Sequence, residues 1–482
     1  MADPFALGVA FEQAQDPDDR TRRGAWFTPA PVARLLVDRA LAAWAGSRPP
    51  RVVLDPSVGG GAFLLAAHER LPDARLVGID IDAGAVAVTR EALARAGATD
   101  VALVHGDGLD PSSCPEEVDL VVGNPPFLSQ LRAATTRGED RRARLRGWYG
   151  EAAEGYVDEA GLFVLAVSRL LAPDGVAVLV VPEALLATES AGRVREEVST
   201  HCAVDVVWRD TEGAFPGVPT CALQLRRQGP GWTGPPGSPG SGTASWASLL
   251  ADDVPAVVDP VVGATRTVGD VATATADFRE AYYLVAEHVR EARPGHDDPR
   301  LTPVGLIDPA HHRWGAAAVR FAKQRWDRPV AVGLPPAFLA ARLGTKLLVA
   351  TQTKVLEALV DTEGDMLPTT PAITVRTDRP WHVGAALTSP LLTALAARRH
   401  AGAARTRTAL KLSAAQVLAL PLPADGPAWD DAADAFRAAH GASAVADRTQ
   451  LLRRCGESMW SAFDLEADPV ASGWWAQRLP RR

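Results

Sequence analysis

Arg51-Val52-Val53-Leu54-Asp55-Pro56-Ser57-Val58-Gly59-Gly60-Gly61-Ala62-Phe63-Leu64 decides how this chain is read. Val52 to Leu54 is a short β-branched and aliphatic run that suits a buried strand. Ala62 to Arg70 has helical composition. The glycines between them admit left-handed backbone and let a ligand come close to the main chain. Strand, glycine turn and helix in this order open a doubly wound α/β sheet. The turn lacks the full G-x-G-x-x-G spacing of dinucleotide enzymes, so alone it specifies no ligand.

Downstream, Leu76-Val77-Gly78-Ile79 ends in Asp80, about twenty residues past the glycines, where an acid is placed to bind ribose hydroxyls. Val101-Ala102-Leu103-Val104 leads into His105-Gly106-Asp107, whose carboxylate suits an adenine amino group. Val118-Asp119-Leu120-Val121-Val122-Gly123 ends in Asn124-Pro125-Pro126-Phe127. Two successive prolines remove two donors and fix two φ angles, and the residue before them is pushed out of the helical region. That stiffness aims the Asn124 amide and a neighbouring carbonyl into a cleft beside the Phe127 ring. An amide oxygen, a carbonyl and an aromatic face can hold a planar heterocycle by its exocyclic amino group. Each acid taken singly is equally a loop or helix-cap residue. Four ordered strand-end signals within about seventy residues read as one site.

In these motifs and their order the chain resembles the N6-adenine DNA methyltransferases that use S-adenosyl-L-methionine, in the gamma arrangement. Trp26-Phe27-Thr28-Pro29 resembles the family's early F/Y-T-P motif, and Asp55 to Leu64 its D-P-x-x-G-x-G-x-F-L motif. The resemblance implies cofactor contacts from Thr28, Pro29, Asp55, Pro56, Gly59, Gly61, Phe63, Asp80 and Asp107. It implies a catalytic set of Asn124, Pro125, Pro126 and Phe127. Phe215-Pro216-Gly217-Val218-Pro219 resembles the motif whose aromatic packs on a flipped base. Val58 and Gly60 replace a more usual Cys and Ser, and Phe127 replaces the commoner Tyr, losing its hydroxyl. The motif-bearing resemblance covers roughly residues 20 to 227.

The implied fold is a Rossmann-like seven-stranded class I methyltransferase domain followed by a mixed α/β target-recognition domain. The implied activity is site-specific methylation of adenine N6 in double-stranded DNA, within restriction-modification or phage defence. A restriction endonuclease or specificity subunit would be a further partner. Two alternatives stay open: methylation of a protein glutamine or an RNA base, and a non-catalytic DNA-binding defence component.

The chain has 482 residues, 47% hydrophobic and 22% charged, which allows two or three domains with full cores. Absence of a long uninterrupted apolar stretch and of a secretory leader predicts a cytoplasmic protein without membrane contact. Cys114, Cys202, Cys221 and Cys455 lie far apart without C-x-x-C spacing, so free thiols and no zinc are expected. His311-His312 lacks partner ligands at useful spacing. Gln352-Thr353-Lys354 resembles a nuclease Q-x-K but shows no acid partner, and reads as a structural edge.

The net charge of −8 argues mildly against a nucleic-acid partner, yet local charge matters more than the sum. Arg132, Arg137, Arg141, Arg142, Arg144 and Arg146 follow the Asn-Pro-Pro motif. Arg398, Arg399, Arg405, Arg407 and Lys411 form a second group. Of these, Arg132, Arg141, Arg142, Arg398 and Arg399 are the expected DNA contacts. Domain boundaries are expected as a loose N-terminal segment 1–20, a methyltransferase domain 21–228, a Gly/Pro/Ser-rich linker 229–245 and a recognition domain 246–482. In the second half, strands are expected at Ala256–Val258, Val268–Val271 and Lys346–Thr351, with helices at Phe278–Arg293, Leu387–His400 and Ala414–Leu418.

Overall fold

Aliphatic, largely β-branched runs supply the parallel strands β1 (Val52–Asp55), β2 (Arg75–Asp80), β3 (Val101–His105), β4 (Val118–Gly123) and β5 (Leu171–Pro182). Two further strands, β6 (Cys202–Arg209) and β7 (Thr220–Arg227), complete a seven-stranded sheet in the order β3-β2-β1-β4-β5-β7-β6. β7 runs antiparallel to both β5 and β6. This order, with β7 reversed between β5 and β6, is the class I methyltransferase topology. The computed structural model describes residues 3–15, 28–127, 138–154, 157–215, 218–228, 245–258, 266–276, 279–295, 297–402, 404, 406 and 409–480.

The chain divides into two units, Met1–Leu250 and Ala251–Arg482. In the first, helices α1 (Phe5–Gln13), α2 (Ala30–Ala43), α3 (Ala62–Arg70), α4 (Ala83–Ala96), α5 (Glu139–Tyr149), α6 (Glu159–Leu170) and α7 (Gly192–Ser199) accompany the sheet. β1 and β4 are locked at their start by Asp119, whose buried carboxylate accepts from the Arg51 and Val52 amides and from Arg48. The apolar side chains of β1, β4 and β5 join Leu36 and Val37 of α2 and Leu64 and Leu65 of α3 in one core.

Two sequence expectations change here. Residues 5–13 are not loose but helical, because Phe5 and Gly8 bury against the sheet unit. Residues 246–250 belong to the first unit: the Trp246 amide donates to Leu186 and its indole to Ser199, and the ring is 7% exposed. The expected linker lies outside the described residues apart from Ser245.

The second unit is mixed α/β. An antiparallel sheet of Glu357–Asp361, Lys346–Ala350, Ile373–Thr377 and Ala272–Ala276 packs with helices Pro380–Thr388, Pro427–Gly441 and Val445–Ala462 around Trp429, Phe436 and Trp475. A smaller sheet joins Val289–Glu291, Pro329–Ala331, Arg300–Thr302 and Met366–Pro368. Ala256–Val258 forms no strand, and Val268–Asp270 is a helical turn held by a Thr267–Asp270 capping box. The helix expected from Phe278 ends at His288, after which Val289–Glu291 pairs with Pro329–Ala331. The helix expected from Leu387 is two, Pro380–Thr388 and Pro390–His400, since Pro390 pushes Ser389 into extended backbone, where its hydroxyl caps the second. Among the described residues no helix is long and apolar enough to cross a membrane.

Candidate cofactor and catalytic site

The site forms where β1, β2, β3 and β4 end. After Asp55 the chain turns through Gly59 (φ +50°) and Gly61 (φ +85°), left-handed values that favour glycine. The turn is tied to β2: the Gly59 amide donates to Asp80 Oδ2 at 2.9 Å and Val58 donates to the Ile79 carbonyl. Thr89 of α4 holds the Gly59 carbonyl at 2.8 Å. Asp80 Oδ1 accepts from the Asp82 amide, which leaves the carboxylate able to accept further donors, since each oxygen has two lone pairs.

Helix α1 closes over this turn. A Cβ on Gly60 would stand 2.6 Å from Gly8 Cα, and one on Gly8 would stand 2.6 Å from the Gly60 carbonyl oxygen. Two bare backbones therefore meet there. Phe11 packs beside Gly84 at the start of α4.

Between these elements lies a cavity of about 410 Å³. Thr28, Asp55, Pro56, Gly59, Phe63, Asp80, Asp107, Asn124 and Pro126 all line it, so nine of the expected cofactor and catalytic residues converge. Its size is that of a small-molecule site. Among the described residues, Glu12, Asp80, Asp82, Asp107 and Glu159 line it, with the largely neutral Asp55 and one guanidinium, Arg141. An acidic wall of this kind suits a cationic ligand. Strand-end carboxylates for hydroxyl and amino donors, bare main chain at Gly59 and Gly60, and the rings of Phe63 and Phe163 fit S-adenosyl-L-methionine. Burial lifts the Asp55 carboxyl to about 8, with the Ser57 amide opposing and the charge of Asp80 adding to the rise.

Asn124 leaves β4 at the cavity edge. Gly123 before it has no room for a side chain, since a Cβ would lie 2.8 Å from Asp55 Oδ1. The Asn124 Nδ2 group donates to Thr28 Oγ1 at 3.2 Å, and Thr28 is 5% exposed. Pro125 is buried, while Phe127 is half-buried against the core of the first unit. Pro29 caps the start of α2.

Several expected substrate contacts change. Arg141 is not a surface cation: Nη1 donates to Asp107 Oδ2 at 2.5 Å, and Nε and Nη2 hold the buried Glu159 carboxylate at 2.9 and 3.0 Å. These acids hold its charge above the ordinary arginine range. Asp107 in turn has one oxygen on Arg141 and the other on the Leu109 amide. Phe215 is 3% exposed with its ring edge-on to Trp208, because Asp210 accepts its amide and draws it into the core. It presents no face to a base.

Arg142 is exposed on α5, and Arg132 lies outside the described residues, as do Arg137, Arg405, Arg407, Trp26 and Phe27. Arg398 and Arg399 lie in the second unit, where Arg398 donates to the Val254 carbonyl and is thereby committed to packing. The sequence reading missed Gly8, Phe11, Glu12, Glu159 and Phe163. A signal existed for Glu159, a lone acid opening an otherwise apolar helix.

The family described as N-6 DNA methylase matches residues 10–232. The type II methyltransferase M.XamI of Xanthomonas campestris pv. amaranthicola is 33% identical over 163 residues, 32% of this chain and 28% of that protein. The release factor glutamine methyltransferase of Bordetella pertussis is 33% identical over 143 residues, 30% of this chain and 52% of that one. The chain thus spans between about a quarter and a half of the length of these two relatives. A putative class I S-adenosylmethionine-dependent methyltransferase from Listeria monocytogenes aligns with a TM-score of 0.40 at 18% identity, covering 48% of this chain and 68% of that one. With the sheet order, the glycine turn and the Asn-Pro-Pro-Phe corner in place, residues 10–232, just under half of the chain, carry the match to the N-6 DNA methylase family, and S-adenosyl-L-methionine is the cofactor that fits the cavity.

Proposed function

We propose that the protein methylates adenine N6 in double-stranded DNA at a specific site, as the modification activity of a restriction-modification system. The bound cofactor would supply an electrophilic methyl group. The observation that carries the reading is the Asn124 amide at the edge of the cofactor cavity, with its nitrogen committed to Thr28. An adenine amino group is a weak nucleophile because its lone pair is delocalised into the ring. Hydrogen bonds from that group to the Asn124 oxygen and the Pro125 carbonyl favour the pyramidal form. They also stabilise positive charge as it develops on nitrogen, and removing one such fixed dipole typically costs roughly 2.7–4 kcal/mol. Phe127 offers its exposed side to the extruded base.

Asn124→Ala is expected to lower methyl transfer by about two to three orders of magnitude while S-adenosylhomocysteine binding by calorimetry stays near wild type. Full turnover in the variant rejects this reading. A glutamine-amide or RNA-base substrate is the second reading, since the release factor relative is as similar as the type II methyltransferase, 33% identical in each case. Modification-sensitive sequencing of DNA from cells expressing the chain decides between them: unmodified DNA beside a methylated protein or RNA favours the second.

A further inference from the structure

In the second unit, Val319–Phe321 and Gln324–Trp326 form a two-stranded hairpin. Its register puts Arg320 directly opposite Arg325. The turn between them is made by Ala322 and Lys323, both with positive φ (49° and 64°), as a two-residue type I′ turn needs. One face of the ribbon is anchored: Phe321 is 6% exposed, stacks edge-on to Tyr282 at 5.1 Å, and Trp326 packs against the same cluster. The other face carries Arg320 and Arg325 into solvent, with Lys323 and Gln324 at the tip, all exposed.

Among the described residues none of Arg320, Lys323 and Arg325 forms an ion pair. Like charges directly opposite across a ladder destabilise it. Charges on an exposed ribbon are also a common guard against edge pairing. A guard needs no facing pair of like sign, whereas a polyanion-docking face does gain from one. The three cations and Arg313 line a hollow of about 610 Å³. Arg313 is shared with a second hollow of about 660 Å³ that contains Gln352 and Lys354. Asp308 pairs with Arg313 at 3.7 Å and offsets that one charge, while burial lifts the Glu357 carboxyl to about 8, so it is largely uncharged at neutral pH.

We propose that the Val319–Trp326 hairpin is a duplex-DNA docking element, with Arg320, Lys323 and Arg325 against phosphates or base edges. A two-stranded ribbon has the width that the major groove of B-form DNA admits, and arginine, lysine and glutamine are the side chains that contact phosphates and base edges there. The inference rests on the DNA reading above and adds the element that would hold the duplex.

The test uses the full chain, a labelled DNA duplex and fluorescence anisotropy across a salt series. The triple variant Arg320→Ala, Lys323→Ala, Arg325→Ala is expected to bind at least about ten-fold more weakly, with the slope of log affinity against log salt reduced by roughly 0.9 for each phosphate left without its cation. Arg325→Glu converts the facing pair to an attractive one. Its melting temperature should hold or rise while duplex binding falls, which separates docking from folding. Wild-type affinity and slope in the triple variant overturn the hairpin assignment and leave the DNA reading intact. A wild-type chain that binds no duplex overturns both. An RNA duplex of equal length that competes as well as DNA overturns the choice of partner.

Discussion

Asp55 is fully enclosed at the end of β1, and its carboxyl titrates near 8 rather than at its ordinary 3.8. Between those two values the folded chain keeps a proton that the unfolded chain has shed. Stability contributed by the neutral form is therefore lost as pH rises from about 4 to about 8, and is flat above. Asp55→Asn should flatten the fall in melting temperature across that window, measured by thermal scans at stepped pH; an unchanged slope would place the titration elsewhere. Asp80, Asp107 and Asn124 were legible in the sequence because each stands at the end of an apolar run or within three residues of it, and strand ends on one side of a parallel sheet share one cleft. Arg141 was misread for the converse reason. Its run of arginines looks like a solvated face, and only the fold reveals that Glu159 and Asp107 stand within reach of this one.

Helix α5 is fastened at both ends to the segment that follows β3. Arg141 grips Asp107 near its start, and Tyr149 at its end donates its buried hydroxyl to the Leu109 carbonyl at 2.5 Å. The helix thus positions an acid of the cofactor cavity. Arg141→Gln leaves the buried Glu159 carboxylate without its cation and should cost about 3–5 kcal/mol of stability. It should also weaken S-adenosylhomocysteine binding several-fold, read by calorimetry; an unaltered enthalpy and affinity would remove Arg141 from the site. Helix α1 escaped the sequence reading because Phe5 to Phe11 is apolar all round and shows no helical period, and the acid-rich stretch Asp16-Pro17-Asp18-Asp19 dominates the region. Its glycine lowers helix propensity, yet that glycine is what lets it meet Gly60.

At the scale of the molecule, each unit has its own core. The first was legible because its long strands alternate with helices. The second was not, since several of its strands are three residues or fewer and carry no readable period. What fixes one corner of that unit is an ion pair: Lys346 Nζ donates to Asp361 Oδ2 at 2.6 Å, both side chains fully buried. Asp361 also accepts from the Gly364 and Met366 amides, joining the loop to the sheet. Lys346→Met should destabilise the second unit by about 3–5 kcal/mol, seen as a lowered calorimetric transition, while S-adenosylhomocysteine binding to the first unit holds. The meeting of Gly8 with Gly60 has a temporal side. A ribosome makes the first helix before the turn it rests on, and that helix finds no floor until β1 and its glycines have emerged. The pocket's roof is thus made before the turn on which it rests.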